Sequence, residues 1–252
     1  MKGDKPIILV SNDDGVHSEG IAALADAMAS IGTVYVVAPD RERSASGHSL
    51  TLMHPLRVER IAPRVYRVDG TPTDCVYIGV NNILKGKKAS VLVSGINRGA
   101  NLGDDITYSG TVAAAMEGVI LGIPSIAFSL VARSEFQFNA AAQFAITMVK
   151  KVWEHKLPDD TLLNVNVPNL PKEKIAGTRI TRMGKRLYGD VIIEKKDPRG
   201  RKYYWIGGDY LSTVDVPGSD IEAIEEGYIS ITPLHLDMTN YSAMKALRKW
   251  TW

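Results

Sequence analysis

Ile7-Ile8-Leu9-Val10-Ser11-Asn12-Asp13-Asp14-Gly15 decides how this chain is read. Four consecutive apolar residues, rich in β-branched types, specify a strand buried on both faces. The strand ends in an amide, two adjacent carboxylates and a glycine. In an open parallel α/β sheet, ligands bind beyond the carboxyl ends of the strands. This strand therefore carries two acids to the working edge. Neighbouring strand residues point to opposite faces. Asp13 and Asp14 converge on one ligand only if the backbone leaves strand geometry, and Gly15 permits that turn. Adjacent carboxylates repel, so one stays protonated unless a cation lies between them. Taken alone, the stretch is compatible with a cation site and equally with a loop acid pair that caps a helix.

The next residues extend the pattern. Ile21, Leu24, Ala25 and Met28 recur at helical spacing, with Ser18 as an N-cap candidate and Gly32 as the stop. Val34-Tyr35-Val36-Val37-Ala38 is a second buried strand, so the first 40 or so residues make a βαβ unit with parallel strands. No G-x-G-x-x-G follows the first strand, which excludes a dinucleotide-binding fingerprint. The second strand opens into Pro39-Asp40-Arg41-Glu42-Arg43-Ser44-Ala45-Ser46-Gly47-His48-Ser49, a polar loop on the same sheet edge as Asp13 and Asp14. It is read either as a solvated loop whose charges pair among themselves or as part of a site.

Short β segments fill 50–70. Thr71, Pro72 and Asp74 then form a helix-start signal of cap, proline and acid, and serve as caps in this reading. A third buried strand, Ala89–Ser94, breaks at Gly95-Ile96-Asn97-Arg98-Gly99. Ser109-Gly110-Thr111 opens the helix that follows, and free N–H groups at such a start favour an anion even where a hydroxyl caps them. Ser125–Ser129 and Leu162–Val167 are further core strands, with a helix expected over Phe136–His155 between them. From Gly177 the alternation of strands and helices gives way to a hairpin, 191–196 with 202–206, rich in Tyr and Trp. An isolated hairpin is marginal in water. Another subunit is the expected cover, with base stacking by the aromatics as the other reading. A short helix over Asp220–Glu226, a strand over Tyr228–Pro233 and a last helix over Ser242–Trp250 complete the chain.

Length and charge bound the function. The 252 residues suit one α/β domain, with a core over about 1–176 and an extension over about 177–252. Lys+Arg 30 against Asp+Glu 28 leaves +2, so the surface lacks the excess positive charge of a nucleic-acid binder. The one cysteine, Cys75, excludes an internal disulfide and a cysteine-based zinc cluster, and reads as a buried small hydrophobe. Only four apolar residues follow the basic Met1–Pro6, too few for a signal-peptide core, and no run reaches the roughly 20 residues of a membrane span. A cytoplasmic protein without membrane contact is expected.

Three loops thus leave the carboxyl ends of buried strands with oxygen donors: Asp13 and Asp14, Ser44, and Asn97. An oxygen-only set favours Mg²⁺, Mn²⁺ or Ca²⁺. Two carboxylates neutralise a divalent ion, while Arg43 or Arg98 and the helix start at Gly110-Thr111 attract an anion. That combination suits phosphate-ester hydrolysis.

Ser11–Gly15, Ala38–Ser44, Gly70–Cys75, Val93–Gly99, Tyr108–Thr111 and the late Glu226–Pro233 together resemble the stationary-phase survival protein SurE family, in its motif order and over nearly the whole chain. The resemblance implies a Rossmann-like, mostly parallel sheet flanked by helices, with a C-terminal hairpin and helix extension used in forming a homodimer or homotetramer. It implies a 5′-nucleotidase, a phosphoric monoester hydrolase that converts nucleoside monophosphates to nucleoside and phosphate by metal-activated water, with 3′-nucleotides and polyphosphate as further substrates. Carried over by motif, one Mg²⁺ or Mn²⁺ per subunit is held by Asp13, Asp14, Ser44 and Asn97. Asp13 and Asp14 are also the catalytic candidates. Asn12 and Ser109, with Gly110, Thr111 and Arg98, line the phosphate site. His48 is a candidate proton donor by its ordinary pKa range.

Rivals fit less well. A haloacid-dehalogenase-type phosphatase needs Asp-x-Asp, and Val16 stands two residues beyond Asp14. A response-regulator receiver needs an acid after its third strand, where this chain has Ser94-Gly95-Ile96-Asn97. A non-catalytic nucleotide- or phosphate-binding protein uses the same phosphate site and is separated only by phosphate release.

Overall fold

The computed structural model describes residues 5–188, 191–207 and 210–251. In chain order the elements are β1 (Ile7–Ser11), α1 (Glu19–Ala29), β2 (Thr33–Pro39), β3 (Val58–Ala62), β4 (Val65–Val68), α2 (Pro72–Ile78), β5 (Val91–Arg98), α3 (Gly110–Ile120), β6 (Ser125–Val131), α4 (Asn139–His155) and β7 (Thr161–Pro168). They continue through β8 (Gly177–Ile180), β9 (Lys185–Tyr188), β10 (Val191–Lys196), β11 (Lys202–Gly207), β12 (Tyr210–Val214), α5 (Asp220–Glu225), β13 (Tyr228–His235) and α6 (Tyr241–Leu247).

Nine strands form one sheet in the order β3-β4-β2-β1-β5-β6-β7-β13-β8. β4, β2, β1, β5, β6 and β7 are mutually parallel, and β13 runs antiparallel to β7. Numbered among themselves along the chain, the six parallel strands lie 3-2-1-4-5-6, the doubly wound order whose direction reverses between β1 and β5. The parallel α/β sheet expected from the strand pattern, and the Rossmann-like form that the resemblance implies, are therefore present.

Both faces are covered, which is why the strands read as unbroken apolar runs. Ile8 and Val10 of β1 face a core shared with α1 and α4, while Leu9 faces the other core, with Val76 of α2 and Val112, Ala114 and Ala115 of α3. One feature departs from the common rule. α1 carries the chain from β1 towards one sheet edge and α4 carries it from β6 towards the other, yet both cover the same face. The crossover through α4 thus has the opposite hand to that through α1, against the strong right-handed preference of such units.

Local chemistry explains the helix boundaries. Thr71 and Asp74 form a reciprocal capping box with Pro72 in the first turn, as the sequence indicates. α2 passes into a π turn at Gly79–Ile83 instead of continuing as one helix. α4 begins at Asn139, three residues later than expected, and Phe136 and Phe138 stack on each other ahead of it (ring centres 6.0 Å apart). Ser18 occupies the N-cap of α1 but makes no side-chain cap; its hydroxyl accepts from Asn12. The last helix is shorter than expected, Tyr241–Leu247.

The hairpin of β10 and β11 is present, and β9 pairs with β12. Asp197 organises the turn by accepting from the backbone N–H groups of Arg199 and Arg201. Ile192, Tyr204, Trp205 and Ile206 are exposed on this ribbon. No helix among the described residues is long and apolar enough to cross a membrane.

α1 meets β5 backbone to backbone: a Cβ added at Gly20 would lie 2.0 Å from Ile96 O. Alanine is the better helix former by about 1 kcal/mol, but overpacking of this kind costs about 1–3 kcal/mol or more. Gly20→Ala is therefore expected to lower stability by about 2 kcal/mol net in urea denaturation. A variant as stable as the parent would show that α1 shifts freely on β5.

Candidate active site at the switch point

Asp13 lies where β1 ends and is almost fully buried. The turn beyond it is built by Asn12, whose Nδ2 donates to Gly15 O (3.0 Å) and Ser18 Oγ (2.8 Å). Gly15 has φ +95°, and a Cβ there would come within 3.0 Å of the Arg41 backbone. A glycine is required on both counts. The backbone thus leaves strand geometry directly after the acid pair, as convergence of the two carboxylates needs.

Each carboxylate has donors. The Thr111 hydroxyl, fully buried at the start of α3, donates to Asp13 Oδ1. Asp14, with only 7% of its side chain exposed, accepts from the Arg98 backbone N–H (3.2 Å), and the Arg98 guanidinium stands 3.8 Å away. Burial nevertheless dominates. Burial, opposed in part by the Thr111 hydroxyl and helped by the Asp14 charge, raises the Asp13 pKa to about 6. Burial also raises Asp14, with Arg98 opposing. Two adjacent carboxylates, both pushed towards protonation by burial, form a place that gains from a cation.

The other expected ligands come from the neighbouring loops. Arg43 N–H donates to Asp13 O (2.8 Å), which brings Ser44 beside Asp13. Ser44 is exposed and its hydroxyl donates to Glu42 (2.8 Å). A register shift in the β5–β6 pairing leaves Gly95 and Ile96 out of the ladder, which resumes with Asn97 opposite Ser129. Asn97 Nδ2 donates to Gly99 O (3.0 Å), which leaves Oδ1 as the atom for a hard cation. The chemistry of this donor set, two carboxylates with a hydroxyl and an amide oxygen, fits Mg²⁺ or Mn²⁺. Among the described residues no group of three or more His, Cys, Asp or Glu offers a competing metal centre.

The residues expected to line a phosphate divide into two groups. Asn12 is fully buried with both amide hydrogens committed to the turn, and Thr111 is committed to Asp13. Ser109 caps α3 by accepting from Val112 N–H (3.1 Å). Gly110 lies against the acid: a Cβ there would be 2.7 Å from Asp13 Cβ and 2.9 Å from Ser46 Oγ. Arg98 remains partly exposed beside Asp14, whereas Arg43 turns to Asp40 and the Asp69 carbonyl.

Sequence reasoning missed several supports. Ser46 Oγ is buried beside Gly110 without a hydrogen-bond partner. Asn101, Ser129 and Asn166 form a buried polar cluster in which Asn101 O accepts from Asn164 and Asn166 and Asn101 Nδ2 donates to Ser129. Its signal is visible: Asn164 and Asn166 sit at core positions of an apolar strand. Asp220, fully buried, accepts from Gly103 and Gly184 N–H groups and so ties the β5 loop to the C-terminal extension. His48 Nε2 lies 3.0 Å from Glu117 Oε2, a buried carboxylate on α3.

A doubly wound α/β protein with paired carboxylates, oxygen donors and a helix start at its switch point belongs to the class of phosphate-handling α/β proteins. The family model described as "Survival protein SurE" matches residues 8–190, and the chain belongs to that family. The protein named 5′-nucleotidase SurE from Geotalea uraniireducens is 57% identical over 244 residues, covering 96% of this chain and 98% of that protein. The one from Geobacter sulfurreducens is 56% identical, covering 96% and 93%. The crystal structure of the SurE protein from Aquifex aeolicus superposes with a TM-score of 0.87 at 50% identity, covering 96% of this chain and 98% of that one.

The raised Asp13 pKa has a stability consequence. A carboxyl whose folded pKa exceeds its unfolded one stabilises the fold below the unfolded value and loses that contribution as pH rises through the folded value. In metal-free protein, Asp13 is neutral in the folded state between pH 3.8 and about 6 and ionised above. Asp13→Asn cannot ionise. Its stability relative to the parent is expected to improve by roughly 2 kcal/mol between pH 4 and pH 7 in chelator. Urea unfolding at the two pH values checks this; a pH-independent difference would remove the buried-carboxylate account.

Proposed function

We propose that the chain is a metal-dependent 5′-nucleotidase that hydrolyses nucleoside monophosphates to nucleoside and phosphate. The observation that carries the reading is the adjacent pair of buried Asp13 and partly buried Asp14 at the switch point, with Thr111 at the start of α3 bound to Asp13 and Arg98 beside Asp14. The names of its full-length relatives agree with it. Asp13, Asp14, Ser44 and Asn97 hold one Mg²⁺ or Mn²⁺ per subunit. A divalent cation there would polarise the phosphoryl oxygens and make hydroxide available near neutral pH. Asp13 and Asp14 orient the attacking water. Arg98, the Gly110 backbone and Ser109 meet the phosphate, with Asn12 and Thr111 lining the site from behind. The leaving ribose oxygen takes its proton from solvent water. A homodimer or homotetramer covering the exposed ribbon of β9–β12, and a cytoplasmic location, complete the reading.

Mn²⁺-dependent phosphate release from AMP tests it. Asp13→Asn and Asp14→Asn are each expected to lose at least about 100-fold in kcat/KM while remaining folded, the scale of removing a principal electrostatic contributor to a transition state. Saturable AMP binding without phosphate release would favour a binding protein instead.

The nucleoside has a candidate seat. A cleft of about 410 Å³ opens between Ala100 and Leu102 of the β5 loop, Val131, Ala132 and Arg133 after β6, and Ile221 of α5. It begins a few residues from Asn97 on a loop tied to the end of β6 by Gly99 N–H to Leu130 O (3.0 Å). Filling it with Ala132→Trp is expected to raise the KM for AMP about tenfold while leaving p-nitrophenyl phosphate nearly unaffected, since only the former places a nucleoside there. Equal effects on both substrates would put the nucleoside elsewhere.

A further inference from the structure

We infer that the His48–Glu117 pair is a latch that holds the β2 loop on α3 and thereby presents Ser44 to the acid pair. His48 is then a positioning residue and not the proton donor. The inference rests on the reading of Ser44 as a ligand given above.

Glu117 is anomalous for its place. It lies two turns into α3, in the same helical row as Gly110, Ala113 and Ala114, all of them buried, and is itself only 4% exposed. Burying a carboxylate costs several kcal/mol unless a donor meets it. The donor arrives from another part of the fold: His48 Nε2, at 3.0 Å, on the loop that leaves β2. The His48 side chain is one-third exposed, so the contact bridges the interior of α3 and the surface of the site loop.

The loop needs such a fastening. Ser44 is exposed, and its hydroxyl has only Glu42 of its own loop as the partner described here. Ala45 and Gly47 both adopt left-handed backbone, φ +57° and +56°, so the segment turns back sharply between Ser44 and His48. On its near side, Arg43 N–H is bound to Asp13 O (2.8 Å). On its far side, Gly47 N–H reaches Tyr108 O (3.2 Å), just ahead of α3. The His48–Glu117 contact is a side-chain anchor of that far side, next to the bond from Thr71 Oγ1 to Ser49 O (2.8 Å), and among the described residues it alone fastens a loop side chain to the helix whose start donates to Asp13 through Thr111. Ser46, between the anchors, is pressed beside Gly110 with its hydroxyl buried. One helix therefore fixes both the acid and the loop that carries the neutral ligand.

Three variants separate the roles. His48→Ala removes the donor. His48→Gln keeps an N–H donor at a similar reach. Glu117→Leu, tested alone and with His48→Ala, removes the acceptor without leaving a buried orphan charge. In metal-free protein, amide hydrogen exchange over 43–48 is expected to speed up in His48→Ala and in Glu117→Leu, and to return near the parent rate in His48→Gln. In the Mn²⁺ titration, His48→Ala is expected to raise the dissociation constant about tenfold, as removal of a ligand's support commonly does. KM for AMP should rise with it and kcat stay within about threefold, with His48→Gln recovering most of the loss. The double variant should bind Mn²⁺ no more weakly than His48→Ala alone, because the two groups act as one contact.

Unchanged exchange over 43–48 in His48→Ala would overturn the latch, whatever the metal does. Faster exchange with unchanged Mn²⁺ affinity would overturn its role in presenting Ser44. A collapse of kcat in both His48→Ala and His48→Gln, with the alkaline limb of the kcat profile lost, would make His48 the acid after all. Failure of the parent itself to bind Mn²⁺ would instead remove the site reading, while the exchange experiment still decides the latch.

Discussion

Two carboxylates are held side by side out of water at the end of the first strand, and the surrounding structure answers that constraint. Asp13 is closed off from solvent and Asp14 is largely so. Asp13 takes a hydroxyl donor from the start of α3, Asp14 takes a backbone donor from the end of β5, and Asn12 clamps the turn that lets the two face the same way. These donors do not cancel the penalty, since burial still pushes both acids up, Asp13 to about 6. The fold thus keeps a site that is unfavourable when empty of positive charge. Strain of this kind at a functional position is tolerated because the remaining core is large enough to carry it.

The topology explains why the donors converge. At the point where strand order reverses, the chain leaves β1 towards one edge and β5 towards the other, so their loops part and open a crevice between them. Loops alone would leave that crevice ill-defined. Here each is pinned from beneath. The β1 turn is pinned by Asn12, and the β5 loop by the cluster of Asn101, Ser129, Asn164 and Asn166. Asp220 adds a third support from the C-terminal extension by binding Gly103 N–H and Gly184 N–H. The extension therefore does more than expose a ribbon; Arg186, Ile221, Ile224 and Glu225 complete one wall of the cleft lined by Ala100 and Leu102 of the β5 loop.

Much of this was legible in the amino-acid sequence, for a local reason. Strands buried on both faces must be apolar throughout, and the runs at Ile7, Val34, Val91, Ser125 and Leu162 could be little else. The acid pair, the Ser44 loop and the Asn97 break are conspicuous because polar residues interrupt such runs at the edge where ligands bind. What was hidden depends on partners distant in the chain. Thr111 serves Asp13 across 98 positions, and Asn12 serves Ser18 instead of open space. Ser18 carries a cap residue's identity but spends its hydroxyl on Asn12, so local propensity pointed to the wrong partner. The hand of the α4 crossover was equally hidden. It is settled by which apolar face of α4 finds α1, and helical periodicity reports only that such a face exists.

The division of labour among the proposed ligands follows from the same physics. Charge neutralisation is the larger energetic contribution, and both charged ligands stand on the rigid end of β1 with their donors fixed. The neutral oxygens, Ser44 and Asn97, contribute less attraction but define the shape of the coordination sphere. Asn97 is seated by the strand irregularity of β5 and by Gly99. Ser44 has no strand beneath it and is exposed, so its position is only as good as the contacts at the two ends of its loop. A small octahedral ion tolerates little error in ligand position and keeps water on its open sides. On the proposed ligand set, the preference for one hard cation over another is then set less by the conspicuous acids than by how firmly α3 holds the loop that carries the hydroxyl.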